Sequence, residues 1–577
     1  MSKHVIVIGG GLGGLSAAVR LAAAGVRVTL LEKNDRVGGK LNLWEAPHPG
    51  RPGDRPFRFD TGPSLLTLPF VFEDLFAAAG RRLSDHLTLR RLDPIARYTW
   101  RDGTTFELRN DDGALDRELR RVAPDDADGF RRFAAEGKRI WDLSAELFLF
   151  NAPEQLLNGK ANRSAAKPRT AAGPDATTAI ASPSGASLPN DSAPHKPRDP
   201  LFRAKVGLKL LSTPFRIGMF RKFSKLVDRH VKSQKLREVL YQYATYSGAS
   251  PLRAPATLAC IPHAERHFGG WYPEGGMYRL AEAVVGLARE LGVEVRTGCA
   301  VERVLVEPRS AGNRPGGEGA SGSRGKKDKA VGRAVGVRLA AGEELRADAV
   351  VCNADVVYGY RSLVDPAFRR KYADRALDRL EPGGSGLALL LGVDGTYPQL
   401  AHHNKFMPAD YRSDVVAMFD TRTVPADPCI YVCASTRTDP TQAPAGCENL
   451  FVLASAPPLD GSIDWATEGP RYRDQIVRSL ERDWGLTDLS KRIVVERHVS
   501  PADLRSLYNA NAGSIYGIGS NNLRDAFLRP PNRDRDVSGL FFAGGATHPG
   551  GGLPLVTLSG KIVSEMVLDD LGPGLGM

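Results

Sequence analysis

His4-Val5-Ile6-Val7-Ile8 runs straight into Gly9-Gly10-Gly11-Leu12-Gly13-Gly14, and no other feature of the 577-residue chain restricts its fold as much. The glycines give G-x-G-x-x-G at Gly9, Gly11 and Gly14, with Gly13 inside the same turn. Residues 15–24 read as a helix, and residues 26–31 as a second strand that ends on Glu32. Strand, glycine turn, helix, strand and acid, in that order, describe a dinucleotide-binding βαβ unit. Gly9 permits the tight turn, Gly11 lets the backbone approach a pyrophosphate, and Gly14 lets the helix pack close to the strand. The free N–H groups and dipole of the helix N-terminus then stabilise the phosphates. Glu32 can accept hydrogen bonds from an adenosine ribose, and its charge disfavours a 2′-phosphate, which argues against NADP.

The C-terminus carries a second element of related design. Gly539-Leu540-Phe541-Phe542-Ala543-Gly544-Gly545 is a strand ending in glycines, followed by the loop Ala546-Thr547-His548-Pro549-Gly550-Gly551-Gly552-Leu553-Pro554. From Leu555 onward the chain reads as an amphipathic helix, with Pro554 suited to its first turn. A helix N-terminus aimed at the pyrimidine edge of a flavin stabilises the negative charge of the reduced ring.

These pieces carry a resemblance. Directly after the ribose acid, Arg36-Val37-Gly38-Gly39-Lys40 gives R-x-G-G, an extension typical of flavoproteins related to the amine oxidases and phytoene desaturases. VIVIGGGLGGLSAA, LLEKNDRVGGK, FDTGPSLLTLP, WYPEGGMYRLAEA, LAHHNKFMPADY, SIYGIGSNNLRDAFLRPPNRD and FFAGGATHPGGGLPLV run nearly end to end. Together they resemble the bacterial-type phytoene desaturases, a carotenoid desaturase group within the FAD-dependent, amine oxidase-like flavoproteins. The resemblance implies non-covalent FAD and desaturation of a long polyprenoid hydrocarbon, of phytoene or diapophytoene type. In that reaction an allylic C–H gives hydride to the flavin and a neighbouring proton is lost. It leaves room for a carotenoid oxygenase or isomerase, for a flavin amine oxidase, and for prenyl-binding regulators of small GTPases that share the fold without using flavin.

The expected cofactor-binding residues are Gly9, Gly11, Gly13, Gly14, Glu32, Lys33, Arg36, Gly38, Gly39, Lys40, Val301, Gly544, Gly545, Thr547, Gly552, Leu553 and Pro554. Arg36 supplies charge toward the phosphates, and Val301 opens a strand-like run over 301–307. His548 is the candidate catalytic residue, because its loop is expected beside the flavin. No metal site is expected. His402-His403 has no evident third ligand and reads as a structural pair, and the six cysteines form no CxxC pair. Asp125, Asp126 and Asp128 follow Pro124 and read as a helix start rather than a carboxylate dyad.

The expected fold class is α/β: a Rossmann-type FAD-binding domain, an α+β substrate domain and a helical membrane-facing region. The FAD-binding domain is expected over 1–105, 271–355 and 500–577, and the substrate part over 106–270 and 356–499. Two stretches depart from folded composition. Residues 158–199 are Ala, Ser, Pro, Thr, Asn and Lys with few large apolar side chains, and read as a disordered insert. Residues 310–329 form a Gly/Ser/Lys/Arg loop between two strand-like runs.

Net charge is +12, which favours an anionic partner surface. No nucleic-acid motif accompanies the charge, so a lipid headgroup layer is the expected partner. Residues 201–237 hold eleven Lys/Arg against one acid, Asp228. Phe220, Phe223, Val227 and Val231 fall on one helical face there, as in an interfacial helix. No run reaches the roughly 20 apolar residues of a spanning helix, and the N-terminus does not read as a secretory signal. The expectation is a cytoplasmic protein, peripherally associated with the inner face of the membrane.

Overall fold

A computed structural model describes residues 3–145, 149–151, 216–309 and 330–572. The insert 158–199 and the loop 310–329 lie outside the described residues, as does the 201–215 part of the basic stretch. At the centre is a five-stranded parallel sheet. Its strands are β1 (His4–Ile8), β2 (Arg27–Leu31), β3 (Glu294–Arg296), β4 (Ala349–Cys352) and β5 (Leu540–Phe542), in the order β5-β4-β1-β2-β3. Helices cover one face of this sheet and a layer of antiparallel strands covers most of the other, so its strands are continuously apolar rather than alternating. Val5, Ile6 and Val7 show this, all fully buried, as are Val350 and Val351 in β4.

Three helices fix this layer. Helix α1 (Leu12–Ala23) leaves the glycine turn, α2 (Tyr278–Glu290) precedes β3, and α3 (Leu553–Leu571) follows β5. Both α2 and α3 pack on α1. Gly560 makes the α1–α3 approach possible: a Cβ there would stand 2.4 Å from Gly13 O and 2.7 Å from Ser16 Cβ. Ser16 Oγ donates to Thr557 O at 2.8 Å across the same contact. Lys561 Nζ reaches Asp74 at 3.0 Å, and Asp74 also pairs with Arg20. The last helix is thereby clamped to the first.

A smaller antiparallel layer runs in the order Val301–Pro308, Gly332–Leu339, Glu344–Arg346. A seven-stranded mixed sheet runs in the order Ile493–Val499, Ser385–Asp394, Cys447–Ala456, Ile430–Cys433, His403–Phe406, Ala96–Thr99, Thr105–Leu108. Helices Ala127–Ser144, Gln234–Thr245 and Cys260–Phe268 stand beside it. Asp125 and Asp126 lie in a 3-10 turn that leads into helix Ala127–Ser144, and Asp126 accepts the backbone N–H groups of Lys232 (2.9 Å) and Ser233. Asp126 stands at the start of that helix, as its position after Pro124 implies, and its side chain ties the start to a distant segment of chain.

The interfacial stripe is corrected here. In helix Phe223–His230 the side chains of Phe223 and Val227 are fully buried, as is Val231 beyond it. They pack into the core beside helix Ala127–Ser144, with the Phe133 and Phe223 rings edge to face at 6.3 Å. Only Phe220 of the four is exposed, at 61%. Arg221, Lys222 and Lys225 form a solvated basic back. An apolar stripe under a charged face satisfies a protein core as well as a lipid layer, and here the core takes it.

Candidate active site

The glycine turn is built around an oxygen that tolerates nothing between it and α1. Gly9 has φ +94°, and its N–H donates to Leu31 O at 2.7 Å. A Cβ on Gly14 would lie 2.2 Å from Gly9 O. No side chain caps α1, whose N-cap is Gly11, so the first N–H groups of the helix stay available to an anion. Glu32, at the end of β2, is buried. Its Oε2 accepts from Gly10 N–H at 2.7 Å and its Oε1 from Asn34 N–H at 2.9 Å, which fixes the carboxylate with lone pairs to spare.

The loop after Glu32 folds back over the turn. Gly38 N–H donates to Gly10 O at 2.8 Å, and a Cβ on Gly38 would stand 2.1 Å from Leu41 O. Lys40 Nζ donates to Ser514 O at 2.9 Å and Ile515 O at 2.7 Å, tying this loop to the segment before β5. Burial pulls the Lys40 ammonium down to about 8, against the opposing charge of Asp355.

A cavity of about 620 Å³ begins at this cradle. Gly9, Gly11, Gly13, Glu32, Lys33, Gly38, Gly39, Lys40, Val301, Gly544, Gly545, Gly552, Leu553 and Pro554 all line it. Fourteen of the seventeen expected cofactor residues, drawn from three distant stretches of chain, therefore meet on one surface. Gly14 does not line the cavity because it faces the Gly9 carbonyl and the Asn353 side chain. Arg36 does not reach it either: its guanidinium contacts Leu43 O (3.4 Å) and Asp35 (3.7 Å) on the outside. Thr547 is buried and donates to Pro530 O at 2.6 Å, so it shapes the loop instead of facing the cavity.

His548, the candidate catalytic residue, is likewise placed elsewhere. Its Nε2 lies 3.0 Å from Asn151 O, and its own carbonyl accepts from Asn532 Nδ2 (2.9 Å) and Ser559 Oγ (2.9 Å). Burial pulls the imidazole down to about 4, so it is neutral. It anchors the loop that delivers Gly550–Gly552 to α3. The N-terminus of α3 itself, Gly552 to Val556, does face the cavity.

Sequence reasoning missed Asn353. It follows β4 directly, its Nδ2 donates to Gly9 O at 3.3 Å, and it touches the faces of Gly11, Gly13 and Gly14. The signal was an abrupt change from Ala349-Val350-Val351-Cys352 to the polar Asn353-Ala354-Asp355, all three of which line the cavity. These features fit a flavin dinucleotide. Two uncapped helix N-termini face the cavity, a fixed carboxylate stands where a ribose is recognised, and at Gly13 and Gly38 between them an added Cβ would stand 2.5 Å from Asn353 Oδ1 and 2.1 Å from Leu41 O.

Beyond the cradle the same cavity continues into a chamber walled by Leu65, Leu68, Ile261, Met418 and Leu453. Polar groups also reach it. Tyr243 O–H donates to Glu265 at 2.7 Å, and burial raises this carboxyl from 4.5 to about 7. Burial raises Asp414 from 3.8 to about 7. An unfolded chain ionises both acids first, so stability falls as pH rises from their ordinary values to about 7 and then levels. Glu265→Gln is expected to flatten part of that fall, as measured by denaturant midpoints across the window. An unchanged slope counts against the burial of this carboxyl.

His402 and His403 are buried, as expected of a structural pair, with Nδ1 of one at 2.6 Å from Thr438 Oγ1 and Nδ1 of the other at 2.6 Å from Tyr431 O–H. Strand pairing adds what spacing did not show. Cys433 lies directly opposite His403, and the three side chains hold ligand-type atoms within 4.8 Å of one another. Burial holds His402 down at about 3, so that ring is neutral.

The comparisons agree with this architecture. The family model for flavin-containing amine oxidoreductases matches residues 12–568. The 4,4'-diapolycopene oxygenase of Methylomonas sp is 36% identical over 572 residues, covering 99% of each chain. The 4,4'-diaponeurosporene oxygenase of Staphylococcus aureus (strain USA300) is 32% identical over 567 residues, covering 98% of each. An oxidoreductase from Methanosarcina mazei shares the fold with a TM-score of 0.55 at 14% identity, over 97% of this chain and 100% of that one. Putrescine oxidase bound to putrescine does so with a TM-score of 0.55 at 13% identity, over 99% of each. With a nucleotide cradle, a second helix N-terminus and a family match over nearly its whole length, the chain belongs to the flavin-containing amine oxidoreductases and is an FAD-dependent oxidoreductase.

Proposed function

We propose that the protein oxidises allylic carbon of a long polyprenoid in carotenoid formation, and that it oxygenates a chain end. One observation carries the reading: a single cavity joins the flavin cradle to a chamber walled by aliphatic side chains such as Leu65, Leu68, Ile261 and Leu453 and by aromatic ones such as Tyr98, Trp141, Tyr246, Tyr431 and Phe451. The names of the two full-length relatives support oxygenation. Desaturation, which the phytoene desaturase resemblance implies, is the second reading, and the same apolar walls favour it. An amine substrate fits less well, because burial holds the two carboxyls of the chamber, Glu265 and Asp414, toward their neutral forms and the Lys405 ammonium stands beside them.

Bound FAD supplies the acceptor for a hydride leaving an allylic C–H. The chain's own residues do the rest. The N-terminus of α3 faces the cavity and stabilises negative charge there. The aliphatic walls align the hydrocarbon and exclude water, while Lys40 and Asn353 hold the loops of the cradle together. In this reading segments 106–270 and 356–499 build the substrate part. The test is expression in cells that make thirty- or forty-carbon polyprenes, under heavy-isotope dioxygen. A hydroxyl or carbonyl gained at the chain end supports oxygenation, its oxygen coming from water if hydride passes to FAD and from dioxygen if label appears there, and loss of hydrogen with no oxygen gained supports desaturation. Unaltered polyprenes in both backgrounds overturn the reading.

Loading belongs to the same proposal. At about 0.8 kcal/mol per CH₂, a polyprene crossing water loses tens of kcal/mol, so it is taken directly from a bilayer. Among the described residues no helix is long and apolar enough to span one. The exposed Phe220 beside Arg221, Lys222 and Lys225 suits reversible attachment to an anionic leaflet. Each basic residue there contributes about 1 kcal/mol. Reversing all three to Glu is expected to lower liposome co-sedimentation at least about 100-fold in low salt, with FAD content unchanged. Unaltered binding moves the loading face elsewhere.

A further inference from the structure

The chamber is not uniformly suited to a hydrocarbon. Lys405 sits in the middle of strand His403–Phe406, and the two-residue repeat of a strand puts it on the same face as His403, toward the cavity. Its Nζ stands over the Tyr431 ring, 4.7 Å from the centroid. Among the described residues it makes no hydrogen bond and no ion pair. An ammonium inside a protein needs acceptors, and here Nζ beside the cavity has the Tyr431 ring face and, among the described residues, no oxygen acceptor.

The neighbouring groups are polar too. Glu265, Asp414 and Cys429 all line the cavity and act electrostatically on Lys405. Glu265 spends one oxygen on Tyr243, and Asp414 accepts from Ser455 Oγ at 3.1 Å. Gln242 turns an amide N–H onto the Cys429 sulfur at 3.1 Å, a weak acceptor that a better one can displace. A methyl-ended chain pressed against this cluster strips water from it and returns nothing. A chain ending in a hydroxyl or carbonyl offers an acceptor to Lys405, and a hydroxyl also offers a donor to the carboxyls.

We propose that Lys405, Glu265, Asp414 and Gln242 form a subsite that holds an oxygen-bearing terminus of the polyprenoid substrate. The inference rests on the polyprenoid reading above and deepens it. A substrate with one end already oxygenated is gripped at that end, and the class of reaction that supplies it is oxygenation of a polyprene terminus.

The test uses the full-length, FAD-loaded protein. Turnover of a hydrocarbon polyprene and of its mono-aldehyde and mono-alcohol counterparts is compared in vesicles of one composition. The wild type is expected to favour the oxygenated chains at least about 10-fold in kcat/KM, mainly through KM. Lys405→Met, of similar reach without charge, is expected to reverse the order, with KM rising for the oxygenated chains and falling for the hydrocarbon. Flavin content and melting temperature report folding of the variant. If the variant does not fold, equilibrium binding of the three chains to the wild type decides alone: tighter binding of the oxygenated chains sustains the subsite. Equal affinities, or an order unchanged by Lys405→Met, overturn it. If none of the three chains is bound or turned over, the polyprenoid reading itself fails, a result distinct from loss of selectivity.

Discussion

Gly11→Val is expected to yield a folded protein that purifies without yellow colour. Gly11 is the N-cap of α1 and lines the cavity where the backbone must approach the pyrophosphate. A Cβ there would stand 2.9 Å from Asn353 Nδ2, and the two methyls of valine would extend into the space the phosphates need. The backbone itself is not strained, because φ at Gly11 is −70°. The fold is therefore expected to survive while the ligand is excluded. Overpacking of this kind costs about 1–3 kcal/mol before any lost phosphate contact is counted. FAD affinity is expected to fall at least about 100-fold. The check is flavin absorbance of the purified variant and titration with added FAD. Full occupancy in the variant moves the pyrophosphate away from this turn.

Gly560→Val is expected to do greater damage, through folding rather than through the ligand. Gly560 is in the middle of α3, far from the cavity mouth, yet its added Cβ would meet Gly13 O at 2.4 Å and Ala17 N at 2.9 Å. Both are backbone atoms of α1 that cannot rotate aside. The helices must separate, which breaks the Ser16–Thr557 hydrogen bond and displaces the Gly13–Gly544 contact that closes the cradle. A loss of about 3 kcal/mol or more is expected, with flavin release and unfolding in one transition. Gly286→Ala in α2 is the matched control. Nothing lies within 4 Å of its added Cβ, so it is expected to hold stability or raise it by about 0.5–1 kcal/mol. Thermal melts of the two variants, followed by flavin fluorescence, make the comparison. Wild-type stability in Gly560→Val contradicts the close α1–α3 packing.

The cradle was legible in the sequence because its parts are local. Strand, turn, helix and acid fall within residues 4–32, and backbone geometry alone dictates the glycines. The C-terminal loop was legible for the same reason, although only the fold brings Gly544 against Gly13. His548 and Arg36 show the limit of such reading. A motif places a residue in a loop but does not say which way its side chain turns, and both turn from the cavity toward backbone carbonyls.

Asn353 left only the change from an apolar strand to polar residues as a signal, and Lys405 left none, since their neighbours come from strand pairing across hundreds of residues. The parallel pairing of His403–Phe406 with Ala96–Thr99 is one case. The apolar stripe of Phe223 and Val227 misled for another reason. Amphipathicity reports that a face needs an apolar medium and is silent on whether protein or lipid supplies it.

The central claim is that bound FAD accepts electrons from a polyprenoid held in the adjoining chamber. Anaerobic mixing of the holoprotein with polyprene-loaded vesicles tests it most directly, by following the flavin absorbance. Bleaching of the oxidised flavin by polyprenes, and not by vesicles alone or by a diamine, is the predicted result. A flavin that stays oxidised with every polyprene, or that is bleached by the diamine, contradicts the account.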